Sequence, residues 1–258
     1  MCGIVGYVGK REAYPILIKG LKRLEYRGYD SAGVALISDS GELNVYKQKG
    51  KVADLEQYTA DKDCSGQIGM AHTRWATHGV PSQINAHPHV SQSGRFALVH
   101  NGIIENYADL RKQLEGKGFT FKSETDTEVL VQLIEYTYNA IARRGGQHSG
   151  ESLHRDILSA IRLTLRKVVG AYALVLIDRN DPDAMFCARK ASPLVVGLGE
   201  GEYFVASDAT PIVEYTDQVI YLNDGEIALL RRGKDIKIIN LENLKVPAEI
   251  QTIDMDID

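Results

Sequence analysis

Cys2-Gly3-Ile4-Val5-Gly6-Tyr7-Val8 is the stretch on which the reading of this chain turns. From Gly3 to Val8 it is short, mostly apolar and uncharged, which reads as a β-strand starting almost at the first residue. A cysteine stands at its head, directly after Met1. Working outward, residues 13–25 read as a helix. Pro15 sits in its first turn, where a missing N–H costs little, and Ile16, Leu17, Leu21 and Leu24 form one stripe. Residues 34–37 and 43–46 flank Ser38-Asp39-Ser40-Gly41 as a hairpin. Residues 66–72 and 96–100 are further strand candidates.

Two long helices follow. Thr125-Asp126-Thr127-Glu128 matches a capping box ahead of a helix over 129–141. Residues 151–169 carry Leu153, Ile157, Leu158, Ile161, Leu165 and Val168 at helical spacing, and Gly170 ends the run. Between the two helices, residues 143–150 are glycine-rich and basic and read as a surface loop. From Ala171 the pattern returns to strands, at 172–177, 185–188, 194–196, 203–206, 219–222 and 226–230. Asn223-Asp224-Gly225 is a tight-turn signal between the last two. Strands, then paired helices, then strands again predict an α+β fold of two antiparallel sheets with helices outside.

The bulk numbers exclude several classes. With 258 residues, 44% apolar and 25% charged, the chain can bury a substantial core. A net charge of −4 offers no general attraction for nucleic acid. No apolar run is long enough to span a membrane, and the first dozen residues do not form a secretory signal. Three cysteines without a C-x-x-C point to a reducing compartment rather than a disulfide or zinc framework. Five of the seven histidines fall between His72 and His100, but no carboxylate or cysteine lies among them, so no metal is expected. Gly197-Leu198-Gly199-Glu200-Gly201 precedes a strand-like run, not a helix. It therefore reads as a strand–strand turn rather than a phosphate loop.

Cys2 is the sharpest chemical candidate. Small side chains at positions 2 and 3 permit removal of Met1. The mature chain would then begin with a thiol and a free α-amine on one residue. Their reference pKa values of about 8.5 and about 7.7–8.0 make the amine a matched base for the thiol. With Met1 retained that nitrogen is an amide, and such protein is expected to be inactive. Arg74, in His72-Thr73-Arg74-Trp75-Ala76-Thr77-His78-Gly79, is the residue type suited to clamp a carboxylate, and Trp75 could cover a small ligand. Asn101-Gly102 reads either as a plain turn or as an oxyanion hole made of an amide and an unhindered N–H. Asp126 either complements a helix dipole or holds a substrate ammonium. Cys64 and Cys187 read as inert thiols. Arg27-Gly28-Tyr29-Asp30-Ser31-Ala32-Gly33 reads only as a close-packed polar turn.

The ordered set CGIVGYVG, EYRGYDSAGV, HTRWATHG, HNGIIEN and SETDTE resembles the class II glutamine amidotransferases, N-terminal nucleophile hydrolases. Within them, Trp75 and Tyr29 favour the branch that aminates fructose 6-phosphate over the amidophosphoribosyltransferases. The resemblance runs from Cys2 to about Leu230. It implies a four-layer αββα sandwich. It implies Cys2 as nucleophile with its own amine as proton shuttle, and Asn101 and Gly102 as oxyanion hole. Arg74 would bind the α-carboxylate and Asp126 the α-ammonium of L-glutamine. Thr77 and His78 would line the pocket and Trp75 would sit on its closing loop. L-Glutamate and ammonia would be the products, with no cofactor. Residues 2–240 would be the glutaminase domain. Residues 241–258 would lead toward an isomerase half that alone binds fructose 6-phosphate, in a cytoplasmic, homo-oligomeric enzyme. Two alternatives stay open: a domain serving an amidophosphoribosyltransferase, and a module that binds glutamine without cleaving it.

Overall fold

A computed structural model describes residues 2–76, 79–146 and 148–254. In chain order the first half runs β1 (Gly3–Val8), α1 (Ala13–Arg23), a 3-10 turn (Glu25–Arg27), β2 (Ser31–Ile37), β3 (Leu43–Lys49), α2 (Val52–Thr59), β4 (Ile68–Arg74), β5 (His89–Val90), β6 (Phe96–Asn101), α3 (Tyr107–Glu115), α4 (Asp126–Gly145) and α5 (Gly150–Lys167). The rest is strand: β7 (Tyr172–Asp178), β8 (Asp181–Lys190), β9 (Val195–Gly199), β10 (Glu202–Ala206), β11 (Gln218–Tyr221), β12 (Glu226–Arg231), β13 (Lys237–Ile239), β14 (Lys245–Val246) and β15 (Gln251–Thr252).

The strands form two antiparallel sheets. One has the order β15-β11-β9-β10-β1-β4-β2-β3, the other β14-β13-β12-β8-β7-β6-β5. Their alternation sorts side chains into three apolar layers. Ile4 and Val8 of β1, Met70 of β4, Val99 of β6 and Val175 of β7 meet between the sheets. Val5 and Tyr7 point the other way, onto Leu17 and Leu21 of α1 and Leu55 of α2. Phe96 and Leu98 pack under Val129 and Ile134 of α4 and Ile157 and Ile161 of α5. Helices, sheet, sheet and helices make the four-layer αββα sandwich. The central position of β1, between β10 and β4, carries Cys2 to the end of the sandwich where β4 and β6 also finish.

Several expectations need correction. Asn223-Asp224-Gly225 does form a turn, with the Glu226 N–H donating to Asn223 O at 3.1 Å, but it closes no hairpin. β11 pairs with β9 in one sheet and β12 with β8 in the other, so the turn carries the chain between sheets. Residues 143–150 are not a loop throughout, because α4 extends to Gly145 and α5 starts at Gly150. Gln147 lies outside the described residues. The capping box is half formed. Thr125 Oγ1 accepts from the Glu128 N–H at 3.3 Å, but the Glu128 carboxylate instead accepts from Lys122 N and Ser123 N. Helices α2 and α3 had no clear signal, because each is short and buries only two or three residues, such as Leu110 and Leu114 of α3. Two short strands beyond residue 240 pair with the sheets, β14 with β13 and β15 with β11, at opposite sheet edges.

Candidate active site

At the end of the sandwich where β1 begins, a cavity of about 270 Å³ opens beside Cys2. Cys2, Arg74, Trp75, Asn101, Gly102 and Asp126 all line it. Six residues spread over 125 positions of sequence meet there because β4 and β6 finish, and β1 and α4 begin, at the same end. Period 2 decides the aim of two of them. Arg74 follows Met70 and His72 on the inter-sheet face of β4, and Asn101 follows Ala97 and Val99 on that of β6.

Cys2 is held through its backbone and its sulfur. The Trp75 N–H points at Cys2 Sγ at 3.1 Å. The Cys2 carbonyl accepts from Asn101 Nδ2 at 3.1 Å and from Arg27 Nη1 at 3.2 Å. Burial pushes the thiol above its usual pKa, with the Trp75 amide opposing that shift. The cysteine therefore carries little thiolate at neutral pH and needs a base to act as a nucleophile.

Gly102 has φ +110°, and a Cβ there would sit 2.3 Å from Ala171 O, so only glycine fits. Asp126, at the start of α4, accepts from the Ile104 N–H at 2.9 Å. Arg74 is buried, and its guanidinium donates to Gly79 O at 3.0 Å and Val80 O at 3.3 Å. The cavity thus presents a guanidinium and a carboxylate to one small volume. That pattern suits a zwitterionic α-amino acid. Trp75 is 54% exposed at the rim. Thr77 and His78, also expected in the site, lie outside the described residues.

Sequence reading passed over the 27–33 turn, and this turn proves to be part of the site. Arg27 Nη1 also donates to Ser207 Oγ at 3.1 Å, and Arg27 Nη2 pairs with Asp208 at 3.1 Å. Asp30 accepts from the Ala76 N–H at 2.6 Å and so pins the loop that follows β4. Ser192, Pro193 and Ser207 line the cavity as well. The dense turn residues around Arg27 were the available signal. Ser207 offered none, since its partner Ile4 N is 203 residues away.

Among the described residues no group of three or more His, Cys, Asp or Glu side chains is placed to hold a metal ion, and the buried imidazoles pair with one another and with hydroxyls. His72 stacks on His87 with ring centroids 4.0 Å apart, His89 Nε2 lies 2.9 Å from Thr125 Oγ1, and His100 Nδ1 lies 2.9 Å from Thr127 Oγ1. Burial drives the pKa of His72 down to about 3 and those of His87 and His89 well below the usual value. Cys187 is buried and its thiol is pushed up to about 12, while Cys64 is raised too, again by burial.

Residues 72–214 match the model of the glutamine amidotransferase domain family. The chain belongs to that family. This glutamine amidotransferase domain is 60% identical over 257 residues to the glutamine–fructose-6-phosphate aminotransferase (isomerizing) of Bacteroides thetaiotaomicron, covering 100% of this chain and 40% of the relative. It is 48% identical over 257 residues to the enzyme of the same name from Aquifex aeolicus, again covering 100% of this chain and 40% of the relative. The domain therefore spans about 40% of the length of these relatives. Among solved structures it resembles the glutamine phosphoribosylpyrophosphate amidotransferase of B. subtilis, with TM-score 0.69, 28% identity, and coverage of 99% of this chain and 50% of that one. The shared architecture is that of the N-terminal nucleophile amidotransferases. Among the described residues no helix is long and apolar enough to cross a membrane.

Proposed function

We propose that this domain hydrolyses L-glutamine to L-glutamate and ammonia through a γ-glutamyl thioester on Cys2. The observation that carries the proposal is the convergence of the Cys2 sulfur, an arginine, a carboxylate and the Asn101-Gly102 pair on one amino-acid-sized cavity. Arg74 binds the α-carboxylate and Asp126 the α-ammonium, which places the side-chain amide at the sulfur. Thr77 and His78 complete the pocket, and Trp75 closes over it. Once Met1 is removed, the Cys2 α-amine takes the thiol proton as Sγ attacks the amide carbon. The oxyanion is met by the second N–H of Asn101 Nδ2 and the Gly102 N–H. The amine returns the proton to the leaving nitrogen, and ammonia departs. Water then attacks the thioester and frees glutamate and the thiol. No step calls for a metal or organic cofactor.

Residues 2–240 form the glutaminase unit in this reading, and 241–258 lead toward a second half that accepts the ammonia. The 60% identity to a fructose-6-phosphate aminotransferase, against 28% to a phosphoribosyl enzyme, supports fructose 6-phosphate as the acceptor. The full protein is then a cytoplasmic homo-oligomer.

The test is labelling with a diazo-ketone analogue of glutamine, on protein shown by intact mass to begin at Cys2. A single adduct on Cys2, blocked by glutamine, is expected. Cys2→Ala should lose all measurable ammonia release while keeping its fold. Protein retaining Met1 should also be inactive. Turnover by Cys2→Ala or by the Met1 form would sink the proposal.

A further inference from the structure

His72 is not among the residues assigned to the chemistry above, and it does not reach the cavity. It lies on the inter-sheet face of β4, fully buried, one alternation before Arg74. Its Nε2 is 2.9 Å from Asn101 Oδ1. Asn101 sits at the end of β6, in the other sheet, so this hydrogen bond crosses the sandwich at the floor of the site.

The protonation pattern of the pair follows from its neighbours. The Cys2 carbonyl can only accept, so the Asn101 atom 3.1 Å from it is the amide nitrogen. The atom facing His72 is then the amide oxygen, which also can only accept. His72 must carry its proton on Nε2. A flipped Asn101 would set its oxygen against the Cys2 carbonyl and withdraw its N–H from the cavity. His72 opposes that flip from the far side, because accepting from a flipped amide would move its proton to Nδ1, which is buried with no hydrogen-bond partner. The imidazole is itself fixed, since its ring lies 8° from parallel on that of His87. His87 in turn reaches Thr127 Oγ1 at 3.4 Å and accepts from the His100 N–H at 3.4 Å.

Resting on the glutaminase reading above, we infer that His72 is a positioning residue that holds the Asn101 amide with its N–H toward the oxyanion. It touches neither substrate nor the sulfur. Its contribution is made in the transition state, where the oxyanion exists, and not in glutamine binding.

The test compares His72→Ala, His72→Asn and His72→Gln in the full-length protein beginning at Cys2. Active sites are counted by the glutamine-analogue label. The glutamine amide nitrogen falls where Nε2 of histidine lies, whereas that of asparagine falls where Nδ1 lies. His72→Ala and His72→Asn should lower kcat for glutamate release by about tenfold or more, inside the ~10²–10³-fold ceiling for losing one oxyanion donor. KM for glutamine should hold within about twofold, because the ground state is unaffected. His72→Gln should regain most of the rate. In an Asn101→Ala background, His72→Ala should add nothing further.

A merely structural role predicts otherwise: loss matching the fall in labelled sites, equal effects of Gln and Asn, and additivity with Asn101→Ala. Any of these overturns the inference. If His72→Ala does not fold, the contrast between Gln and Asn decides alone. Wild-type protein without ammonia release would sink the glutaminase reading, and this inference with it. Active wild type with His72→Ala at full rate per labelled site would sink only the role of His72.

Discussion

The space between the two sheets is filled in two different ways. At its centre, Ile4, Met70, Val99, Val175, Met185 and Cys187 make a layer of hydrocarbon and sulfur, and the Cys187 thiol is pushed far above neutral pH. At the end beneath the cavity, the same strands carry His72, Arg74 and Asn101, and the imidazoles of His87 and His89 pack behind them. Dispersion and burial hold the centre, and they tolerate changes of shape poorly but changes of pH well. Directed hydrogen bonds hold the end, and each needs one protonation state. The contrast shows how a rigid hydrocarbon platform can present a polar site whose donors have fixed orientations.

The largest effect that should separate the two regions is acid sensitivity. His72 has a folded pKa of about 3, and His87 and His89 are depressed in the same direction. A histidine in the unfolded chain takes up a proton below about pH 6.5, which the buried neutral ring refuses. Stability from these rings is therefore fully present above about pH 6.5 and is lost as pH falls below it. All three rings are shifted the same way, so their losses add, and denaturant melts at about pH 7.5 and about pH 5.5 should show the protein clearly less stable at the lower pH. A flat profile over that interval would erase the distinction drawn here.

Met185→Ala should act on the other region. Met185 is fully buried between the sheets, and its loss is expected to cost about 3 kcal/mol by the same melts. That cost should be equal at both pH values, which sharpens the comparison, because Cys187 and Tyr203 in the same layer titrate only well above that range. The smallest effect is at the boundary between site and helix. Thr125→Ala removes the acceptor for the Glu128 N–H and the partner of His89. It should destabilise by roughly 1 kcal/mol. Its companion reading is a modest rise in KM for glutamine, since Asp126 is the next residue.

The strands and long helices were legible because their periods are strong. Alternation along β1, β4 and β6 and the 3.6-residue stripe of α5 each leave a pattern within one short window. The six site residues named from the sequence and described here all line one cavity. Three of them could be read only as options: Asn101-Gly102 as a turn or a donor pair, Asp126 as a cap or a ligand. The resemblance favours the donor pair and the ligand, and the fold places all three residues on the same cavity. Arg27 and Ser207 escaped because their meaning lies in partners 180 residues apart. The 223–225 turn misled for the same reason. A turn's local chemistry does not say which sheet takes the next strand.

Local chemistry written along the chain singled out the candidate nucleophile and determined the family, the alternation of each strand and the spans of the long helices, since all of these are set by neighbours within a few residues. Tertiary structure alone decided which strand ends coincide, and hence that the Cys2 carbonyl, Asn101 and His72 form one line of hydrogen bonds across two sheets. The orientation of an amide depends on what stands within about 3 Å of each of its ends, and here those neighbours are 99 and 29 residues away.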